Sequence, residues 1–408
     1  MLYHIEAWVQ KVNSAALFLW APLALFAPRA IHLPLFILAV TGCFTHRFKN
    51  IRLLGKPAWG FLGLFLLWAL VSTQWSLDQR FAVRELAKLT PILVAACSVI
   101  LYFHHLSRRQ IDRYLKAVIF GFSLAMLIVG IDRLLDYPMM GIVNKSSALT
   151  YSRFITLMCL QIWGILLILP PSRWKPFMAL ALLGGAAAFF WTYDFDAGPV
   201  GIICAIVAML MTFALPKLTS LLLRVGVVIT PILVVIGFGL FMTQAHWQKV
   251  VTAQINHTHQ QRLEMIDWAS KKIIERPLGY GFSQTRALSA QDKITGYNLV
   301  DGQVTTNTIW EKGTWHLHNG LLQIFLELGI VGFLLISGVI CILVRDLWGL
   351  GLDRYRLGVM HGYVTTLLFI LSVGFGIWQT WWLSTIMMLT ILLAFKVSYE
   401  RQIDPNSI

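Results

Sequence analysis

The chain has 408 residues, of which 57% are hydrophobic and only 13% charged, with a mean hydropathy of +0.69 and a formal net charge of +14. Soluble domains carry about a quarter charged residues, so this composition excludes a soluble enzyme and predicts an all-α polytopic membrane protein. The cation excess does not call for nucleic acid, because most Lys and Arg fall in short loops between apolar runs, where the positive-inside rule places them.

A membrane helix needs about 20 apolar residues, and the hydropathy pattern predicts about twelve. They fall at 13–28, 30–45, 57–74, 86–103, 117–135, 153–170, 176–192, 198–215, 225–243, 319–343, 359–377 and 382–397. Pro22, Pro28 and Pro34 break up the first two, which fit two spans or one re-entrant unit. The first run lacks a small-residue cleavage site and is expected to stay as a span. The 16 Trp and 25 Phe suit membrane interfaces. All of Cys43, Cys97, Cys159, Cys204 and Cys341 lie in apolar segments without metal-ligand spacing and read as inert thiols.

Orientation follows from the cations. The richer set of loops holds Arg47, Lys49, Arg52, Lys56, Arg108, Arg109, Arg113, Lys116, Arg173, Lys175, Lys217, Arg224, Arg345, Arg354, Arg356, Lys396 and Arg401. The other side holds Arg29, Arg80, Arg84, Lys88, Arg133, Lys145 and Arg153. Both termini are therefore expected in the cytoplasm, and the one long polar loop, 244–318, outside it. The chain divides into helices one to nine (1–243), that loop (244–318), and helices ten to twelve with a tail (319–408).

The outer-side cations cluster. Arg84 and Lys88 are four apart and share a helix face near the outer boundary. They read either as an anion site or as surface charges, with Arg84 paired to Glu85 or Asp78 and Lys88 reaching to the interface. Asp132, Arg133 and Asp136 read as an internally paired cluster, and Arg153 as a second phosphate candidate. The Asp194-Phe-Asp196 turn resembles a metal-holding pair, but an Asp-capped solvated turn explains it better.

In the long loop, Leu263, Ile266, Ala269 and Ile273 recur at helical spacing over 262–275, with charges opposite. An amphipathic helix lying on or just above the membrane is expected, stopped by Pro277, Gly279 and Gly281. Residues 283–315 read as a mobile polar flap. His257 and His259 would not share a helix face, and together with His246 they make a poor metal site.

The loop ends in Trp315-His316-Leu317-His318-Asn319, immediately before an apolar run. An imidazole there, with an ordinary pKa of about 6.5 and a helix N-terminus disfavouring added positive charge, suits a general base. Around it the outer face offers Arg84, Lys88, Arg262, Arg286 and Arg276, whose guanidinium and ammonium groups suit a lipid phosphate or pyrophosphate. No nucleotide-binding glycine loop is present. A sugar on a lipid pyrophosphate carries its own leaving group, so lipid-linked glycosyl transfer fits the outer face.

The run His318-Asn319, nine residues, Gly329, two residues, Gly332 resembles the His-[Asn/Ser/Gln]-x9-Gly-x-x-[Gly/Thr/Tyr] signature of bacterial O-antigen ligases of the WaaL type. Arg262, the helix after it and Arg276-Pro277-Leu278-Gly279-Tyr280-Gly281 resemble that family's periplasmic arginine–helix–Pro-x-x-Gly segment, and Ala87-Lys88 is a weaker match. The resemblance implies a GT-C-like fold in the bacterial inner membrane, with the active site on the periplasmic face. It implies an inverting, metal- and cofactor-independent transfer of an undecaprenyl-pyrophosphate-linked glycan to the lipid A-core oligosaccharide. His318 would be the base on the acceptor hydroxyl and Arg262 the donor-pyrophosphate ligand. Arg84, Lys88, Arg286, Arg153, His316 and Asn319 would bind substrate. One departure stands out: many relatives carry an Arg between spans seven and eight, where this chain has Asp196-Ala197-Gly198. A polysaccharide polymerase using the same donor is the alternative. A protein O-oligosaccharyltransferase, a lipid-glycan transporter and a structural protein with an interfacial histidine fit less well.

Overall fold

The computed structural model describes residues 2–45, 57–135, 147–169, 172–192, 197–253, 256–300, 303–309, 314 and 316–401. Its helices are α1 (Leu2–Phe26), α2 (Leu33–Thr45), α3 (Pro57–Ser72), α4 (Gln79–Phe103), α5 (Arg108–Leu134), α6 (Ser147–Ile168), α7 (Lys175–Trp191), α8 (Ala197–Ala214) and α9 (Pro216–Phe241). The long polar loop adds α10 (Gln244–Thr252), α11 (His257–Glu275), α12 (Thr285–Gln291) and a hairpin of β1 (Ile294–Val300) and β2 (Gln303–Ile309). Helices α13 (Gly320–Gly349), α14 (Arg354–Val373) and α15 (Thr380–Arg401) complete it.

The protein is an all-α polytopic membrane protein. Among the described residues, 9 helices are long and apolar enough to cross a bilayer, and three shorter apolar ones (Pro28–Phe44, Ser152–Ile168 and Lys175–Trp191) fall at other expected spans. Pro22 sits inside α1 without ending it. Pro28 opens a short 3-10 turn, Pro28–Ala30, where Trp20 Nε1 donates to the Ile31 carbonyl at 2.9 Å and folds α2 back on α1.

Polar pairs are made inside the bundle, as a low-dielectric interior demands. Asn13 on α1 donates to the Tyr102 and Tyr114 hydroxyls (3.2 and 3.3 Å) and accepts from Thr41 at 2.7 Å, tying α1, α2, α4 and α5. Trp163 Nε1 donates to Thr366 at 3.0 Å, and Lys396 pairs with Asp112 at 2.7 Å.

The described residues of the long loop carry more regular structure than their polarity implies. The amphipathic helix forms, but the structure corrects its surroundings. Met265, Trp268, Ala269 and Ile273 are buried with Val235 of α9 and Leu322, Phe325, Leu326 and Phe333 of α13. The polar face is covered as well. Glu264 accepts the Tyr297 N–H at 2.8 Å, and Asp267 accepts from Lys271 at 2.9 Å and Trp247 Nε1 at 3.4 Å. Trp247 stacks on Tyr297 with ring centroids 4.6 Å apart. Helix α11 is thus wedged between bundle and hairpin, and burial raises both carboxyls above their ordinary values.

The flap expectation also changes, since α12 and the hairpin occupy much of 283–315. Ile294 pairs with Ile309 and Val300 with Gln303 in an antiparallel ladder. The β-branched residues on both arms and the Asp301-Gly302 between them are the sequence signals for such a hairpin. Replacing Trp247 with Ala removes the stack that seats the hairpin, at a cost of about 3–5 kcal/mol to that module. Limited proteolysis should then cut between residues 290 and 310, while far-UV circular dichroism of the bundle stays unchanged.

Candidate active site

His318 adopts a left-handed backbone conformation, φ +54°, uncommon for a residue with a side chain. Two local contacts impose it. Thr314 Oγ1 donates to the His316 carbonyl at 2.8 Å, which bends the approach. Asn319 then caps α13, its Oδ1 accepting the Leu322 N–H at 2.9 Å. His318 therefore stands just outside the helix. Its Nδ1 lies 2.8 Å from the Gly374 carbonyl oxygen. A carbonyl only accepts, so Nδ1 carries the proton and Nε2 keeps its lone pair.

The His316 ring lies 4.3 Å from that of His318, at 72°. Gly376 makes room for it: a Cβ there would stand 2.4 Å from His316 Cβ. Burial is the main cause lowering the His318 pKa; the Gly374 hydrogen bond opposes it, and the positive charge of Arg262 adds to it. Burial likewise brings His316 down to about 3, helped by His318 and Arg262. Both rings are neutral at pH 7. Burial and Arg262 are causes beyond the helix N-terminus expected from the sequence.

The structure brings Arg262, on α11, into electrostatic reach of both histidines. Arg286 follows Thr285 on α12, which is joined to the histidine approach where Ser289 Oγ accepts the Thr314 N–H at 2.9 Å. Arg153 stacks over Trp381 at 5.4 Å and feels the like charge of Arg29. Trp381 meets Phe375 edge-on at 4.8 Å, so Arg153 sits behind the segment that carries Gly374.

Arg84 and Lys88 both turn to Glu85, at 3.8 and 2.5 Å, and Arg84 also lies over Phe81. Exposed pairs of this kind contribute little stability. Arg276 is exposed over Tyr280, and His246 caps α10 through Thr243. Asp194, Asp196, Asp136 and Lys145 lie outside the described residues. Ala197, at the departure noted above, is buried at the start of α8.

The glycines of the two motifs meet. Helix α13 breaks at Gly329, φ +65°, releasing the carbonyls before it. The turn after α11 takes them up: Tyr280 N–H donates to Leu326 O (3.2 Å) and Gly281 N–H to Glu327 O (2.8 Å), while Ile330 N–H returns to Pro277 O (2.8 Å). Trp68 Nε1 supplies the Leu328 carbonyl at 2.8 Å. The backbones approach so closely that a Cβ at Gly279 would lie 2.4 Å from Glu327 O, and one at Gly329 2.3 Å from the Leu278 carbonyl carbon. Only glycine tolerates both the contact and the positive φ.

Sequence reading passed over Glu327 and the Gly374–Gln379 segment. A lone acid in a membrane helix is itself a functional signal, but the apolar run around Glu327 masks it. The Gly374 carbonyl belongs to the backbone and leaves no side-chain trace.

No family model matches the chain. It is 24% identical over 359 residues to a Rickettsia conorii protein, covering 85% of this chain and 82% of that one. A Rickettsia bellii protein is 23% identical over 350 residues, covering 84% and 81%. One from Rickettsia prowazekii is 27% identical over 158 residues, 38% of this chain. Each of the three carries the name "Putative polysaccharide ligase".

Gly329→Ala combines a clash with a backbone conformation that alanine resists, at a cost of about 1–3 kcal/mol. A thermal-shift measurement in detergent should show a clearly lowered melting temperature, with Gly60→Ala, where the added Cβ meets nothing, as the neutral control.

Proposed function

We propose that the protein is an O-antigen ligase-type glycosyltransferase that moves a glycan from undecaprenyl pyrophosphate to the lipid A-core oligosaccharide. The observation that carries the reading is His318, neutral, with Nδ1 bonded to Gly374 and the Nε2 lone pair left for a proton. The polysaccharide-ligase names of the relatives point to the same chemistry.

In the reaction, His318 Nε2 takes the proton of an acceptor sugar hydroxyl as that oxygen attacks the anomeric carbon. The bond from that carbon to the pyrophosphate oxygen breaks, its electron pair stays on the phosphate, and Arg262 stabilises the charge. Direct displacement inverts the anomeric centre. Arg286 and Arg153 supply further positive charge where the family arginine is replaced by Ala197, and Arg84 and Lys88 contribute what Glu85 leaves unneutralised. His316 supports the His318 ring, and Asn319 fixes the helix start. The twelve apolar helices span the inner membrane in a GT-C-like arrangement, with the site on the periplasmic face and both termini in the cytoplasm.

Cells lacking the protein should make only lipid A-core on a lipopolysaccharide gel, with long glycan retained on undecaprenyl pyrophosphate. Wild type should restore the ladder and His318→Ala should not. Core capped with a single repeat in the deletion strain would assign the protein to glycan polymerisation instead. Because a base must be unprotonated and the His318 pKa is lowered, transfer should hold below pH 6.5 and fall only on further acidification. Arg262→Gln removes one cause of that lowering, so its acid limb should move to higher pH in a pH–rate profile, alongside weaker donor use.

A further inference from the structure

Glu327 lies two residues before the break in α13 and is 1% exposed. An isolated carboxylate at such a site is costly unless its oxygens are filled by donors. Here they are. One oxygen accepts the Thr285 N–H at 3.0 Å, the Thr285 hydroxyl and Gln323 Nε2 at 3.1 Å. The other accepts the Ser283 N–H at 3.0 Å and Trp378 Nε1. Four of these five groups can only donate, so the site suits a side chain that only accepts.

The donors come from separate parts of the chain. Ser283 and Thr285 belong to the segment entering α12, and Trp378 to the connection between α14 and α15. Gln323 extends the grip on that connection, since its Oε1 accepts the Ile377 N–H at 3.3 Å. The same short connection presents the Gly374 carbonyl to His318 and fits Gly376 under His316. Phe282 packs on Trp378 at 4.5 Å and closes the arrangement from the loop side.

We propose that Glu327 is the positioning residue for His318: its carboxylate anchors the Gly374–Gln379 connection at Trp378 directly and at Ile377 through Gln323, and so fixes the carbonyl that selects the ring tautomer. It touches no substrate. Its importance for transfer rests on the reading of His318 as base; its hold on the ring does not.

Glu327→Gln keeps the size of the side chain and turns one acceptor into a donor facing other donors. Trp378→Phe leaves the carboxylate intact and removes one bond to the connection. Solid-state nitrogen NMR of histidine-labelled full-length protein in nanodiscs, with His318→Ala to assign the signal, reads the ring directly. Wild type should show His318 as a single neutral tautomer protonated on Nδ1. Glu327→Gln should lose that uniformity, and Trp378→Phe should move the same way to a smaller extent. In a transfer assay with the lipid-pyrophosphate glycan, Glu327→Gln should lower kcat by about 100-fold, the scale of a misplaced catalytic group, while KM for the donor changes little. Unchanged ring signals in both variants overturn the proposal, as does a loss confined to KM. If Glu327→Gln does not fold, Trp378→Phe decides by the same two readouts. Normal transfer by His318→Ala would remove the base reading alone, leaving the ring measurement to judge Glu327.

Discussion

A helix that breaks must find partners for the backbone groups it releases, and α13 finds them in one turn of the long loop and in Trp68. The exchange between Pro277–Gly281 and Leu326–Ile330 joins the two glycine-bearing motifs, although they lie far apart in sequence. Helix α11, which carries Arg262, leads directly into that turn, and His318 precedes the helix that the turn grips. The relative placement of the arginine and the histidine is thus set by main-chain hydrogen bonds.

Electrostatics at this face follow the same economy. The histidines stay neutral because they are buried and because Arg262 opposes a further positive charge. A single arginine thus acts on both rings, and whatever neutralises its charge would make both easier to protonate. Glu327 is held by neutral donors from three parts of the chain, and their hydrogen bonds organise the backbone around it.

Hydropathy alone located the apolar helices, because the requirement for continuous apolar surface is strong and local. It placed their starts poorly where flanking residues are polar: α1 begins at Leu2, well before the run at residue 13. The helix over 262–275 was legible from its spacing, but its surroundings were not. A stripe of apolar residues opposite charges looks the same whether the charges meet water or, like Glu264 and Asp267, meet the hairpin. At the site, His318 and Arg262 stood out by chemistry and motif, whereas the Gly374 carbonyl has no residue-type signature. Glu327 was hidden by averaging: one acid among leucines hardly moves a hydropathy window. Gly329 was visible as a motif letter, yet its φ of +65° and its contact with Leu278 belong to the fold.

The clasp also fixes the chain length of the turn that makes it. Inserting a residue between Pro277 and Gly281 would slide every donor off its carbonyl, leaving buried backbone groups unmatched at about 1–3 kcal/mol each. Substitution there at constant length is a smaller disturbance, because the donors are backbone N–H groups that every residue but proline supplies. Away from its glycines, the turn is held to a length more strictly than to a sequence.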